Sequence, residues 1–395
     1  MFSCDTVTVA RLLSESDGRT KTNERKGENA MGKKIAIIVT VVLATGLCAG
    51  IALSAPDKVI KWTMVSTWTP AIDLLEGDKN FARLVTEMSG GRLEITVSPA
   101  GELVPATAVF DSVARGSVQA GGDWPSYWAG KNSAFDLLGS YPMGMSQYDY
   151  INWYYHYGGK KVVDDLFGKY GIVYFLHCVS PQESGIRTRV PIRNLEDYRG
   201  KKLRMSGKAQ GFVLQKLGAA QVMVSGGEIY QALQMGTIDG AEFSTPSIDW
   251  KMGFGEVTKF NIGPGWHQPA STFGALINKN VWEALPADLK MIVERAAQAN
   301  MAFMSSWYEV GNIKALQEFE NAGTEVIRLS DEDLKIIEGY AWEHLIAESA
   351  SNPDYRAVAL SMFQYLKDFR ATRNFQVPFE HGRNPSTIPD LPGLK

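Results

Sequence analysis

Apolar and polar residues alternate in short runs along much of the chain, and stretches with apolar residues every three or four positions separate these runs. Val59–Val65 has the alternation of a strand, and Asp73–Ser89 follows with the spacing of a helix. The same order of strand, helix and strand continues to Ala120 and returns from Lys202 to Phe243. The pattern predicts an α/β fold with mainly parallel sheets.

Two stretches of the chain, 95–118 and 222–238, repeat one order of strand, turn, helix, glycine and strand. Gly116 and Gly236 stand where a left-handed residue can end a helix. Ser225 and Glu228 have the spacing of a capping box. The repeat is either a chance likeness of common units or two related α/β domains that face each other. Two facing domains would form a ligand cleft between them.

The C-terminal part of the chain has a different pattern. Pro286 can begin a helix, and the helical spacing continues to Asn321, which predicts a rod of about 55 Å that spans both domains. The predicted organisation is residues 1–55 as an N-terminal extension and signal segment, 56–180 as the first part of domain I, 181–268 as the first part of domain II, 269–310 as the return to domain I with the long connecting helix, 311–372 as the remainder of domain II with the C-terminal helices, and 373–395 as a loose tail.

The N-terminal segment has the features of an export signal. Lys33 and Lys34 precede the apolar run Ile35–Leu53, and small residues follow it. We therefore predict a periplasmic protein with a cleaved signal and Met31 as the true start, with an uncleaved anchor as the alternative.

Composition narrows the function. The 395 residues are 45% hydrophobic and carry a formal net charge of -3, which suits a globular protein and argues against nucleic-acid binding. The five histidines have no paired metal-ligand spacing, and no phosphate-binding loop opens a helix. An enzyme is therefore not expected.

The candidate binding residues follow the predicted strands, where open α/β sheets bind ligands. Arg204 ends one strand and offers a permanent positive charge to a small anion, with Arg187 and Arg189 as alternatives. Glu242 would usually be the partner of an arginine. Beside an anion it predicts an intervening Na⁺ or Ca²⁺, held by Glu242, by Gln182 or Glu183, and by a main-chain carbonyl. The predicted cleft walls are Trp68, Tyr127, Trp128, Gln182, Phe243 and Trp266, the last as a lid or a packing residue.

Two motifs resemble a known family. Residues 193–204 and 226–243 are similar to the solute-binding subunits of TRAP transporters, and the resemblance extends over Ile60–Arg370. Within that family the chain resembles the branch that binds 2-oxo acids such as pyruvate. The likeness to this branch lies in Tyr127-Trp128, 134–145, 153–159 and Pro264-Gly265-Trp266.

The resemblance implies a two-domain periplasmic receptor that delivers a small organic acid to a membrane permease. It implies that Arg204 pairs with the ligand carboxylate, and that Glu242, the main chain of Phe243 and a glutamine near Gln182 bind a bridging cation. It also implies a homodimer formed through Tyr340–Arg370. The alternatives are a dicarboxylate or aromatic acid bound without metal, an enzyme acting on small keto acids, and a ligand sensor.

Overall fold

Two β-sheets organise the residues that the computed structural model describes, which are 58–376 and 390–393. The predicted signal segment lies outside these residues. The strands are β1 Ile60–Ser66, β2 Leu93–Ser98, β3 Ala120–Asp123, β4 Ile172–Ser180, β5 Ile186–Thr188, β6 Lys202–Arg204, β7 Ala220–Val222, β8 Gly240–Ala241, β9 Phe260–Gly263, β10 Ser271–Asn278 and β11 Glu325–Arg328. The helices are α1 Leu75–Met88, α2 Val109–Ala114, α3 Ala134–Gly139, α4 Gln147–His156, α5 Gly159–Gly168, α6 Lys208–Lys216, α7 Ile229–Gln234, α8 Pro246–Lys251, α9 Phe254–Val257, α10 Lys279–Glu283, α11 Ala287–Asn321, α12 Asp331–Ser351 and α13 Pro353–Gln376.

The first sheet has the strand order β2-β1-β3-β10-β4, and the second has the order β11-β9-β5-β8-β6-β7. Most neighbours are parallel, as the strand and helix alternation predicts. The exceptions are β5 and β10, which run antiparallel to both of their neighbours. Each of these strands follows a strand of the other sheet, so it enters its own sheet from the edge where the parallel strands end. The α/β fold is confirmed, with these two crossing strands as its antiparallel members.

The strand after the second predicted helix lies later than the sequence pattern indicates. Residues 117–120 were the predicted strand, whereas β3 covers Ala120–Asp123. Gly121 and Gly122 carry no side chain and therefore give no alternation signal. A Cβ atom on Gly122 would lie 2.0 Å from Oδ2 of Asp78, so glycine is required where β3 passes under α1.

Helix ends in the two similar stretches match the prediction. Gly116 and Gly236 have φ angles of +74° and +71°, a left-handed conformation that glycine adopts without strain. Ser225 and Glu228 form the predicted capping box, each side chain accepting a hydrogen bond from the other residue's main-chain N–H. These features end and begin helices at the positions that sequence spacing indicated.

The long helix α11 is also confirmed. It has 35 residues, which corresponds to about 52 Å. Near its start, Leu289, Val293 and Ala296 pack in a core with the first sheet. Near its end, the Phe319 ring lies 3.6 Å from the guanidinium carbon of Arg187 on β5, in the second sheet. One helix therefore contacts both sheets.

Candidate functional site

Arg204 and Glu242 lie side by side because their strands are neighbours. Arg204 ends β6 and pairs in register with Ala241 on β8, so the next residue, Glu242, comes beside the guanidinium. Nη1 of Arg204 donates to Oε1 of Glu242 at 2.8 Å and to the Glu242 main-chain oxygen at 2.8 Å. Nη2 is buried and has no hydrogen-bond partner of normal geometry among the described residues. Nη1 of the guanidinium is thus bonded within the protein, and Nη2 remains without a hydrogen-bond acceptor.

The Glu242 carboxylate is held by three residues. Besides Arg204, Oε1 accepts from the Ser206 hydroxyl at 3.0 Å and from the Ser206 main-chain N–H. Oε2 accepts from the side-chain amide of Gln268 at 3.2 Å. Gln268 lies three residues before β10. Its hydrogen bond therefore joins the chain that enters the first sheet to the strand ends of the second sheet. Burial and this many donors fix the carboxylate in one orientation.

A second carboxyl group, that of Glu183, lies close to Glu242. Burial raises the pKa of Glu183 well above its usual range, and the negative charge of Glu242 adds to this effect. Its Oε2 lies 3.1 Å from Nε2 of His267, whose pKa burial lowers to about 4, so the imidazole is neutral. Donor atoms of Glu183, Glu242 and His267 all lie within 4.8 Å of one another, and all three residues are buried. These three residues, the carboxylate-imidazole cluster, are the groups that could hold a cation.

Aromatic side chains form the wall opposite this cluster. Trp68 follows β1, and Trp124 and Tyr127 follow β3. The ring centroids of Trp124 and Tyr127 are 5.0 Å apart, in an edge-to-face arrangement. The cavity beside these rings measures about 10 Å³, which is room for about one water molecule. Its lining residues are Trp68, Leu74, Trp124, Tyr127, Glu183, Ser206, Phe243, Gln268, Ser271 and Phe273. An organic acid therefore requires these walls to separate before it can bind.

The structure brings together some of the residues that the sequence singled out. Trp68, Tyr127 and Phe243 line the cavity. The Arg204 guanidinium lies 5.4 Å from the Phe243 ring centroid, and its charge acts on Tyr127, whose pKa burial raises to about 12. Arg204 and Glu242 therefore lie next to residues that line the cavity.

Three predicted residues lie elsewhere. Trp128 points away from the cavity, where its Nε1 donates to Asp123 at 2.6 Å and its ring packs on Phe110. Trp266 is buried in the hydrophobic core and does not line the cavity. Gln182 is exposed and lines a separate groove of about 1330 Å³ beside α11, while its neighbour Glu183 takes the inward position. The prediction that Trp128, Trp266 and Gln182 line the cavity therefore differs from their placement in the structure.

Ser206 and Ser271 are cavity residues that sequence reasoning missed. Ser206 comes two residues after Arg204, and Ser271 begins β10. The only available signal was position, because both lie at the strand ends that face the cavity. Serines at strand ends are common in loops, and nothing in the residue type distinguishes these two.

Comparison with known proteins identifies the family. The model of bacterial extracellular solute-binding proteins of family 7, the DctP family, matches residues 64–343. The chain belongs to this family. Members of the family are extracytoplasmic binding components of transporters, and a helix long and apolar enough to cross a membrane is absent from the described residues of this DctP-family chain.

Named relatives of this DctP-family chain are binding proteins rather than enzymes. A monocarboxylate 2-oxoacid-binding periplasmic protein of Nostoc sp. is 30% identical over 79% of this chain and 84% of its own length. A TRAP solute-binding protein of Pseudoalteromonas atlantica, solved with sodium and pyruvate, has a TM-score of 0.76 at 31% identity, covering 81% of this chain and 97% of its own. A TRAP solute-binding protein of Bordetella bronchiseptica, a dimer with calcium and picolinate in one site, has a TM-score of 0.78 at 27% identity, covering 81% and 95%. The two-domain architecture of the TRAP binding proteins is therefore the fold of this chain.

Proposed function

We propose that the chain is the periplasmic binding protein of a TRAP transporter, and that it binds a 2-oxo or 2-hydroxy monocarboxylate together with Na⁺ or Ca²⁺. The acid is of the pyruvate class. The observation that carries this proposal is the buried Nη2 of Arg204, which lacks a hydrogen-bond partner of normal geometry among the described residues. The Arg204 side chain acts on Tyr127 and lies 5.4 Å from the Phe243 ring centroid, and both of these residues line the cavity. A ligand carboxylate supplies the acceptor that this nitrogen needs.

The charge balance of the site supports a cation beside the acid. The single positive charge of Arg204 is already paired with Glu242 at 2.8 Å, so the guanidinium alone does not offset a further anion. Glu183 adds a second carboxyl group within the same cluster. Carboxylate oxygens suit hard cations such as Na⁺ and Ca²⁺. With a cation bound, Glu183 and Glu242 would have part of their negative charge offset, and the acid would gain a second positive contact.

The residues present fit such a cation. Glu242 and the Phe243 main chain remain predicted ligands, and of Gln182 and Glu183, between which the sequence left the choice open, the buried Glu183 is the one beside Glu242. His267 lies within the cluster, and its neutral Nε2 faces Glu183. The known relatives named above hold sodium with pyruvate or calcium with picolinate, which agrees with this donor set.

A thermal-shift screen tests the function directly. The protein is heated with pyruvate, lactate, malonate or picolinate. Each acid is tested in three buffers: potassium buffer with a chelator, sodium buffer, and potassium buffer with calcium and no chelator. We expect the largest rise in melting temperature with pyruvate or lactate plus a cation, since a ligand at about 100 times its Kd stabilises the fold by about 2.7 kcal/mol. A shift of equal size in the cation-free buffer would favour the alternative of an acid bound without metal. Consumption of the acid during incubation would indicate an enzyme.

We also propose that two copies pair through the long helix rather than through Tyr340–Arg370. Most large apolar side chains of 340–370 are buried within the chain, and Ile346 is the one exposed member of that range among the described residues. By contrast, α11 exposes five large apolar residues within four turns, which are Phe303, Trp307, Val310, Ile313 and Leu316. Exposed apolar surface of this extent is typical of an interaction site. The likeness to the Bordetella dimer favours a second copy as the partner.

A further inference from the structure

Asp249, on α8, lies behind the carboxylate-imidazole cluster and is fully buried. Its Oδ2 accepts a hydrogen bond from the Ser184 hydroxyl at 2.9 Å. Its Oδ1 accepts from the main-chain N–H of Ser244 at 3.1 Å. Asp249 does not line the cavity, so its contacts are with the protein alone.

The two partners of Asp249 belong to the two segments that carry the glutamates. Ser184 directly follows Glu183, and Ser244 comes two residues after Glu242. The same segments also meet through the main chain, where the Ser184 N–H donates to the Ser244 oxygen at 3.5 Å. One buried carboxylate therefore ties the Glu183 segment to the Glu242 segment.

Asp249 also contacts Arg187 on β5. Nε of Arg187 lies 3.5 Å from Oδ2 of Asp249, and both side chains are buried. The Arg187 guanidinium in turn packs on the Phe319 ring of α11. The first turn of α8 is held by α11 as well, because the Ser247 main-chain N–H donates to the Asn312 side chain at 3.1 Å. The tie between the two segments is thus anchored to the long helix.

The two glutamates need such a tie. Cation binding requires both carboxyl groups in the charged form, in which they repel each other. A cation that bridges two carboxylates requires them at a set separation. We infer that Asp249 is a positioning residue that sets the separation of Glu183 and Glu242 and so controls cation affinity. This inference rests on the proposed function.

Two substitutions separate positioning from charge. Ser184→Ala removes one hydrogen bond to Asp249 and leaves every charge in place. Asp249→Asn weakens both ties and leaves Arg187 without its partner. Pyruvate is titrated calorimetrically into each protein at a series of calcium concentrations. We expect the half-saturating calcium concentration to rise about fivefold for Ser184→Ala and about tenfold or more for Asp249→Asn. Saturating calcium restores pyruvate affinity to within about twofold of the wild type, since neither residue touches the acid.

Ser89→Ala is the matched control, because Ser89 is a buried, hydrogen-bonded serine at the end of α1, on the first sheet. Its calcium requirement stays that of the wild type. An unchanged calcium requirement in Ser184→Ala overturns the inference, as does a loss of pyruvate affinity that saturating calcium does not restore. If Asp249→Asn does not fold, Ser184→Ala decides. A wild-type chain that binds pyruvate without any cation overturns the proposed function as well. The wild-type titration alone gives this result, so it is distinguished from a failure of the inference about Asp249.

Discussion

Arg204 has two tasks within one side chain. Nη1 holds Glu242 through two hydrogen bonds, and Nη2 remains for the proposed acid. A guanidinium can do both because its nitrogens point in fixed, separate directions. A lysine ammonium has the same charge but is a single point. In the proposed function, the planar fork rather than the positive charge alone would make the site specific for a carboxylate.

Arg204→Lys tests this division of tasks. We expect affinity for pyruvate in calcium buffer to fall about a hundredfold, or about 3 kcal/mol, because the ammonium stays with Glu242 and leaves the acid without its partner. Isothermal titration calorimetry measures the change. Arg189→Lys, at an exposed arginine outside the cavity, is the control and keeps wild-type affinity. Unchanged binding by Arg204→Lys would reject the role of Arg204 in holding the acid.

At the scale of single elements, α11 combines two kinds of surface. Its inner side packs against both sheets, while Phe303, Trp307 and Val310 lie on a face that the described residues leave exposed. A helix buried on one side normally has polar residues on the other. The exposed apolar residues of α11 are therefore the basis of the proposed pairing.

Val310→Asp tests the proposed pairing. Val310 is 67% exposed in the single chain, so the aspartate costs little when the chain is alone but places a charge in an apolar interface. We expect the dimer measured by sedimentation velocity to dissociate. Val326→Asp, at a valine on β11 that is 70% exposed, is the matched control and leaves the assembly unchanged. A wild-type protein that sediments as a monomer at all concentrations would contradict the pairing.

At the scale of the whole molecule, Asp136 links parts of the chain that belong with different sheets. It lies on α3, between β3 and β4 of the first sheet, and its carboxyl group accepts from the Lys208 and Ala209 main-chain N–H groups at the start of α6. That helix connects β6 and β7 of the second sheet. An acceptor at a helix N-terminus satisfies donors that otherwise lack partners. The same side chain is fully buried, so its ionisation affects the whole fold.

The stability of the protein should therefore depend on pH through Asp136. Burial raises the pKa of Asp136 to about 7 from an ordinary 3.8. Between these values the folded chain keeps a proton that the unfolded chain releases, so the free energy of unfolding decreases as pH rises from about 4 to about 7. We expect a lower melting temperature at pH 8 than at pH 5.5. Asp136→Asn removes part of this slope, whereas Asp111→Asn, at a half-exposed carboxylate paired with Lys131, leaves it intact. Equal slopes in both variants would contradict the assignment.

Several features could be predicted from the sequence. They are the order of strands and helices, the length of α11, the capping box at Ser225, and the positions of Arg204 and Glu242 at strand ends. These features depend on local spacing and on residue types that suit one position in a strand, a helix or a turn. Strand ends are visible in a pattern, so the polar residues that follow β6 and β8 stood out. Their hydrogen bond requires β6 and β8 to be neighbours, which is a matter of sheet order.

Where two candidate residues lie close together in the sequence, tertiary structure alone decided which of them faces the cavity. Gln182 and Glu183 are adjacent, and the path of the crossing segment turns Glu183 inward. Trp124 lines the cavity and Trp128 does not, because a short helical turn separates their directions. Asp249 had no signal, since Ser184 is distant from it in the chain and comes close only once β5 and β8 are paired in the second sheet. The sequence by itself determined the elements and the kind of chemistry at their ends, and packing determined which side chains meet, because contacts across the cleft depend on the paths of separate segments.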